Sequence, residues 1–151
     1  MVLLRSPFTE LLSDGCWQVS HSEKNGEQER VAFAFEKLHV YQKAVDFADR
    51  VGVVTETFAA PNRFLADQLN RASVSVAANL AEGNGRFTKA DRRNFFGIAR
   101  GSAQECVPLL ELAKRRGLIA TPRHDELKVM LEEIARMLSG LITGLEKRGN
   151  P

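Results

Sequence analysis

Asn79–Cys106, NLAEGNGRFTKADRRNFFGIARGSAQEC, is the stretch on which the reading of this chain turns. It closes one amphipathic segment, passes two glycines, opens a second amphipathic segment and holds the densest group of basic residues. Thr88 and Asp91 have the spacing of a capping box, in which a side-chain oxygen accepts from a free amide of the first turn. They predict a helix reaching Arg116, with Phe95, Ala99, Ser102, Cys106, Leu109 and Ala113 as its inner stripe and Phe96, Ala103 and Leu110 widening it. Pro108 lies inside this pattern and predicts a kink, because proline lacks the amide donor and crowds the carbonyl four residues back. Lys114, Arg115 and Arg116 before Gly117 make a well-matched helix end, with cations at the negative pole of the helix dipole.

The same periodicity extends to both sides. Upstream, a helix from about Arg63 to Glu82 places Leu65, Leu69, Ala72, Val76 and Asn79 on one seam, with Asn62 as the expected N-cap. Its expected end is the Gly83-Asn84-Gly85 turn, where left-handed backbone angles suit glycine. Before it, Glu36–Thr57 forms the first helix, with Leu38, Tyr41, Val45, Ala48, Gly52 and Thr55 on one face and Pro61 as the stop. Downstream, Thr121 as cap and Pro122 at the first helical position open the fourth helix. Its seam is Leu127, Leu131, Ile134, Leu138, Leu141 and Leu145. No segment alternates at period two. The fold class is therefore all-α, an antiparallel up-down-up-down four-helix bundle over residues 33–148.

Residues 1–32 form a separate region: their apolar residues have no period, and HSEKNGEQER is polar and turn-rich, so a disordered N-terminal tail is expected. Val31 directly precedes the patterned region, so an alternative start there would leave residues 1–30 outside the native chain. The region 1–35 holds three basic and five acidic residues, which leaves 18 basic against 14 acidic in 36–151. That is a mild bias towards anionic partners. No apolar run approaches the ~20 residues of a membrane span, the start does not fit a secretory signal, and Cys16 and Cys106 have neither metal nor redox spacing. A cytoplasmic setting is expected.

No catalytic constellation emerges. His21, His39 and His124 are not spaced with Cys, Asp or Glu as a metal site requires, and Gly83 and Gly85 lack the strand and lysine of a phosphate loop. No cofactor, metal or catalytic residue is expected. Asn79 falls on a buried seam where an unpaired amide costs about 1–3 kcal/mol. Ser102 and Glu82 are its candidate partners in a network that fixes helix packing. Gly97 and Gly101 are expected to admit a neighbouring backbone. The basic residues Arg86, Lys89, Arg92, Arg93 and Arg100 remain. Lys89, Arg93 and Arg100 share one stripe turned away from the inner one. A solvated face is the ordinary role of such a stripe; the functional one is a ridge that contacts phosphates. The stripe carries no aromatic residue to stack bases, which favours backbone contact over sequence readout.

SVSVAANLAEGNGRFTKADRRNFFGIARGSAQE, with Asn79–Gly83 as Asn-x-Ala-Glu-Gly and Ala99–Glu105 as Ala-Arg-Gly-Ser-x-x-Glu, resembles the four-helix-bundle family of proteins encoded in 23S rRNA intervening sequences. That family includes the accessory variability determinant of diversity-generating retroelements, and FEKLHVYQKAVDFA resembles its opening motif. The resemblance spans about residues 33–147. It implies a basic, barrel-like homopentamer without catalytic residues, and, for the retroelement members, binding of nucleic acid and of a reverse transcriptase. Asn79, Glu82 and Gly83 carry over as motif positions only. Two functions follow as expectations: a non-enzymatic oligomer that binds RNA or DNA through the five basic residues, or a protein-interaction scaffold serving a partner such as a reverse transcriptase.

Overall fold

The computed structural model describes residues 33–147, and the expectations about residues 1–32 lie outside them. A 3-10 turn at Ala34–Lys37 leads into α1 (His39–Thr55), followed by α2 (Arg63–Asn84), α3 (Lys89–Arg115) and α4 (Thr121–Lys147). No strand occurs among the described residues. Each helix packs on the next, and α1 also packs on α4, so the four helices close a cycle around one shared core. This is the up-down-up-down bundle expected from the spacing of the apolar residues.

The core is a column of aliphatic side chains with three phenylalanine rings, Phe47, Phe58 and Phe96. Phe47, Val51, Leu65, Leu69, Val76, Leu80, Leu110, Leu127, Ile134 and Leu138 are all essentially inaccessible to solvent. The α2 seam is buried as expected through Val76, and the α4 seam through Leu138; Leu141 and Leu145 are half-buried against the same core. In α1 the expected face is wrong by about one residue. The buried set is Val40, Ala44, Phe47, Val51 and Thr55, whereas Val45 is 41% exposed. Leu38 misled the phasing: it is the extended N-cap (φ −71°, ψ 120°) and not a helical residue, so a pattern counted from it starts off the helix. In α3 the buried centre is Phe96, Ala99, Ala103, Cys106, Leu110 and Ala113, with Phe95, Ser102 and Leu109 half-buried at its edge towards α2.

The helix ends carry several corrections. Thr88 caps α3 as expected, its Oγ1 accepting from the Asp91 amide at 3.0 Å. Asn62 precedes α2 but makes no capping bond; its Oδ1 accepts from Arg116 Nη1 at 3.0 Å, tying the start of α2 to the end of α3. The Gly83-Asn84-Gly85 segment contains no left-handed residue. Gly83 lies inside α2, and Gly85 ends it at φ −80°. The left-handed glycine is Gly117, at φ +70°. There the Leu118 amide donates to Ala113 and the Gly117 amide to Lys114, both at 2.9 Å, the paired bonds of a Schellman end. Thr121 is itself the first helical residue of α4. α3 continues through Pro108, which lies on its exposed side.

Gly83 has a different task from turning the chain. A Cβ there would lie 2.8 Å from Phe96 Cε1 and 2.9 Å from Phe95 Cβ, so the missing side chain is what lets α2 and α3 meet at this level. Further along the same pair, Ser75 Oγ and Ser102 Oγ share a hydrogen bond of 2.8 Å, and Asn79 Nδ2 donates to Ser75 Oγ (3.1 Å) and to the Ser75 carbonyl (2.8 Å). Asn79 is half-buried and reaches Ser102 through Ser75, with Glu82 outside the network. The α1–α4 seam is edged by Lys43–Glu133 at 2.5 Å and by Arg50–Glu126, and α1 meets α2 through Asn70 Nδ2 donating to Thr55 Oγ1 at 2.9 Å. Among the described residues no buried side-chain nitrogen or oxygen lacks a partner.

The three helical glycines with changed or revised roles separate cleanly in a stability measurement. Gly83→Ala is expected to lower the urea stability by about 1–3 kcal/mol through overpacking. Gly97 and Gly101 have nothing within 4 Å of an added Cβ, contrary to the expected close approach. Gly97→Ala and Gly101→Ala are expected to raise stability by up to ~1 kcal/mol each through helix propensity. An unchanged midpoint for Gly83→Ala at fixed chain concentration would contradict the packing role.

Candidate nucleic-acid interface

The five basic residues of the candidate site fall around the α2–α3 turn and along α3, and the structure divides them by what each is attached to. Arg92 is half-buried. Its Nε donates to the Arg86 carbonyl at 2.9 Å and its Nη2 to the Asn84 carbonyl at 3.0 Å. One guanidinium thereby satisfies the last carbonyl of α2, Asn84, at the negative pole of that helix, and a carbonyl of the following turn, Arg86. Arg86 pairs with Glu82 one helical turn back and lies over the Phe95 ring, 4.5 Å from its centroid. These two arginines are fixed parts of the turn, and Glu82 is the anchor of one of them.

Lys89, Arg93 and Arg100 are exposed on one stripe of α3. Arg93 remains 61% exposed while its Nη1 lies 3.5 Å from Glu146 Oε1 of α4, a loose contact that leaves most of its donors to solvent. Arg100 forms no hydrogen bond or ion pair with another described residue. The stripe is a ridge of three solvent-exposed cations. The sequence reading missed one neighbour of this ridge. Phe87 stands in the turn between Arg86 and Thr88 and is wholly exposed, at 104% of its reference accessibility. It lies outside α3, so the helical phase that located the cations could not place it.

Among the described residues no group of three His, Cys, Asp or Glu side chains could hold a metal ion. His39 is exposed at the start of α1. His124 is buried, with Nδ1 2.9 Å from Asp125 Oδ1 and Nε2 3.5 Å from Glu111 Oε2, and no hydroxyl or thiol adjoins it as a nucleophile. The hydrogen bond from Arg115 holds the Glu111 carboxyl below its usual range, His124 does the same for Asp125, and Lys43 for Glu133. Burial, reinforced by the Glu105 carboxylate, pushes the Cys106 thiol up to about 12, which keeps it protonated and inert. No helix among the described residues is long and apolar enough to cross a membrane.

Comparison with known proteins agrees with the fold. A family model described as 23S rRNA-intervening sequence protein matches residues 36–140. Among solved structures, a protein of unknown function from the S23 ribosomal protein family of Bacteroides thetaiotaomicron VPI-5482 is similar at TM-score 0.64 and 26% identity. The alignment covers 68% of this chain and 97% of that one. No curated protein matches.

The division of the arginines has a measurable consequence. Arg92→Met is expected to cost about 1–3 kcal/mol by orphaning the Asn84 and Arg86 carbonyls, while Arg100→Met stays within about 0.5 kcal/mol of the parent. Equal melting temperatures for the two variants would contradict the assignment. The depressed carboxyls make a second one. Their stabilising contribution is complete above the unfolded pKa and lost as pH falls through the lower folded values. A loss of stability is therefore expected below about pH 4, small because all three carboxyls are screened by solvent, and Asp125→Asn should flatten that limb; an unaltered acid limb would refute it.

Proposed function

The chain belongs to the 23S rRNA-intervening sequence protein family, and from that premise we propose that it is a non-enzymatic, oligomeric helical bundle of the cytoplasm that binds the backbone of RNA or DNA. The observation that carries the reading is the exposed α3 stripe of Lys89, Arg93 and Arg100 beside a turn whose own arginines, Arg86 and Arg92, neutralise the end of α2. Without those two, the carbonyl end of α2 and Glu82 would face an approaching phosphate with negative charge. With them, the turn and the stripe form a continuous basic surface. Repetition in a ring, a pentamer in this proposal, would multiply a modest patch into a basic surface of several subunits.

The assembly part of the proposal is supported by a different set of residues. Val74 and Ile98 are 57% and 44% exposed, and Gly97 and Gly101 on α3 present backbone with nothing above it. Such an outer surface on α2 and α3 suits a second copy. It suits equally the alternative function, a scaffold or accessory subunit for a protein such as a reverse transcriptase.

Salt-dependent binding separates the two functions. Affinity for a structured RNA is expected to fall steeply with salt. Lys89→Gln, Arg93→Gln and Arg100→Gln should each reduce the slope of log K against log salt by up to ~0.9 with unchanged melting temperature. Absence of binding at low salt would remove the nucleic-acid reading and leave the scaffold. Sedimentation of the same samples reports the oligomeric state, and a monomer would overturn the ring.

A further inference from the structure

Phe87 is the one side chain of the turn that the bundle does not use. Arg86 is held by Glu82 and Phe95, Thr88 caps α3, and Arg92 binds the Asn84 carbonyl at the end of α2. Between these fixed groups the Phe87 ring is fully accessible and makes no ring–ring or cation–π contact with a described residue. The turn beneath it is well anchored, through the Gly85 amide on the Ala81 and Glu82 carbonyls and the Arg86 amide on Gly83. An exposed phenylalanine on an anchored turn keeps its position when it is covered, so covering it costs little ordering of the chain.

Its surroundings indicate what would cover it. Within six residues along the chain stand four cations, Arg86, Lys89, Arg92 and Arg93, against two carboxylates, Glu82, which pairs with Arg86, and Asp91, which accepts from Thr88; the exposed cations of α3 begin two residues away. The centre of a protein–protein contact is depleted of charge and gathers several apolar side chains. The reverse holds here: one ring among cations. A phenyl ring has no donor or acceptor with which to read a base edge, but it offers a flat apolar face of the kind on which an unpaired base stacks. In a duplex those base faces are already stacked on one another, whereas in a single strand they are free.

We propose that Phe87 is a stacking platform for an unpaired base and that the substrate class of this surface is single-stranded nucleic acid, with Lys89, Arg93 and Arg100 taking the adjoining phosphates. This rests on the nucleic-acid reading of the α3 stripe and sharpens it from backbone charge to strandedness.

The test uses the full chain with an unstructured RNA of twenty uridines and, separately, a 20-base-pair RNA duplex at one salt concentration. The parent protein is expected to bind the single strand more tightly than the duplex. Phe87→Ala should weaken the single-strand complex about 5- to 150-fold, the range for loss of one base–aromatic stack, and leave the duplex affinity, the salt slope and the melting temperature unchanged. Phe87→Tyr should retain the binding. If Phe87→Ala binds the single strand as the parent does, the platform is refuted while the cationic surface stands. An equal loss on both RNAs would also refute it. A shift in sedimentation coefficient for Phe87→Ala would reassign the ring to a protein contact. Failure of the parent to bind either RNA removes the underlying reading as well.

Discussion

The close approach of α2 and α3 at Gly83 is the constraint on which the arrangement of this bundle rests. Phe95 and Phe96 occupy the space that a side chain at position 83 would need, so the two helices meet through a ring edge on bare backbone. That contact sets the level at which α2 ends and α3 begins, and with it the short turn 85–88. The turn in turn brings Arg92 back onto the last α2 carbonyl and Arg86 onto Phe95. Packing, capping and the presentation of the basic surface therefore share one origin.

The polar residues of this helix pair act in register with that contact. Ser75 and Ser102 touch at 2.8 Å, with Asn79 linked to Ser75 and with Ser102 Oγ also donating to the Ile98 carbonyl at 3.1 Å. A sliding of α2 along α3 would separate the two hydroxyls and leave half-buried polar atoms unpaired, a larger loss than the modest net gain of each hydrogen bond. Small side chains and a glycine thus hold the register where larger apolar residues would hold only proximity. The motif Asn79–Gly83 is in this sense a packing device.

How much of this could be read from the chain varies with the kind of information. Four helices and their order were legible because apolar periodicity survives small errors in phase, as the buried seams of α2 and α4 attest. The face of α1 was not, since Leu38 and Val40 begin two plausible stripes and only the extended backbone at Leu38 decides between them. Gly83 reads as a turn residue in the sequence because glycine serves both turns and close contacts, and only the position of the rings across from it distinguishes the two. Asn62 has the composition of a cap, but Arg116, distant in sequence, takes its oxygen instead. At the candidate site, helical phase located Lys89, Arg93 and Arg100 together. It could not show that Arg92 is turned inward or that Phe87, one residue before the helix cap, stands clear of everything.

The cycle of helices has one joint unlike the others. Three of its four contacts join consecutive helices through connections of a few residues, so those partners stay near each other even when the packing loosens. The α1–α4 seam joins the first helix to the last, and its rim is closed by ion pairs, Lys43–Glu133 and Arg50–Glu126, that face water. Such pairs are weak and weaken further as ions screen them. Partial opening of the bundle therefore follows the path of a book with its spine at α2–α3. The covers part along α1 and α4, uncovering Phe47 and Ile134, while the Gly83 contact and the cationic turn remain assembled at the spine.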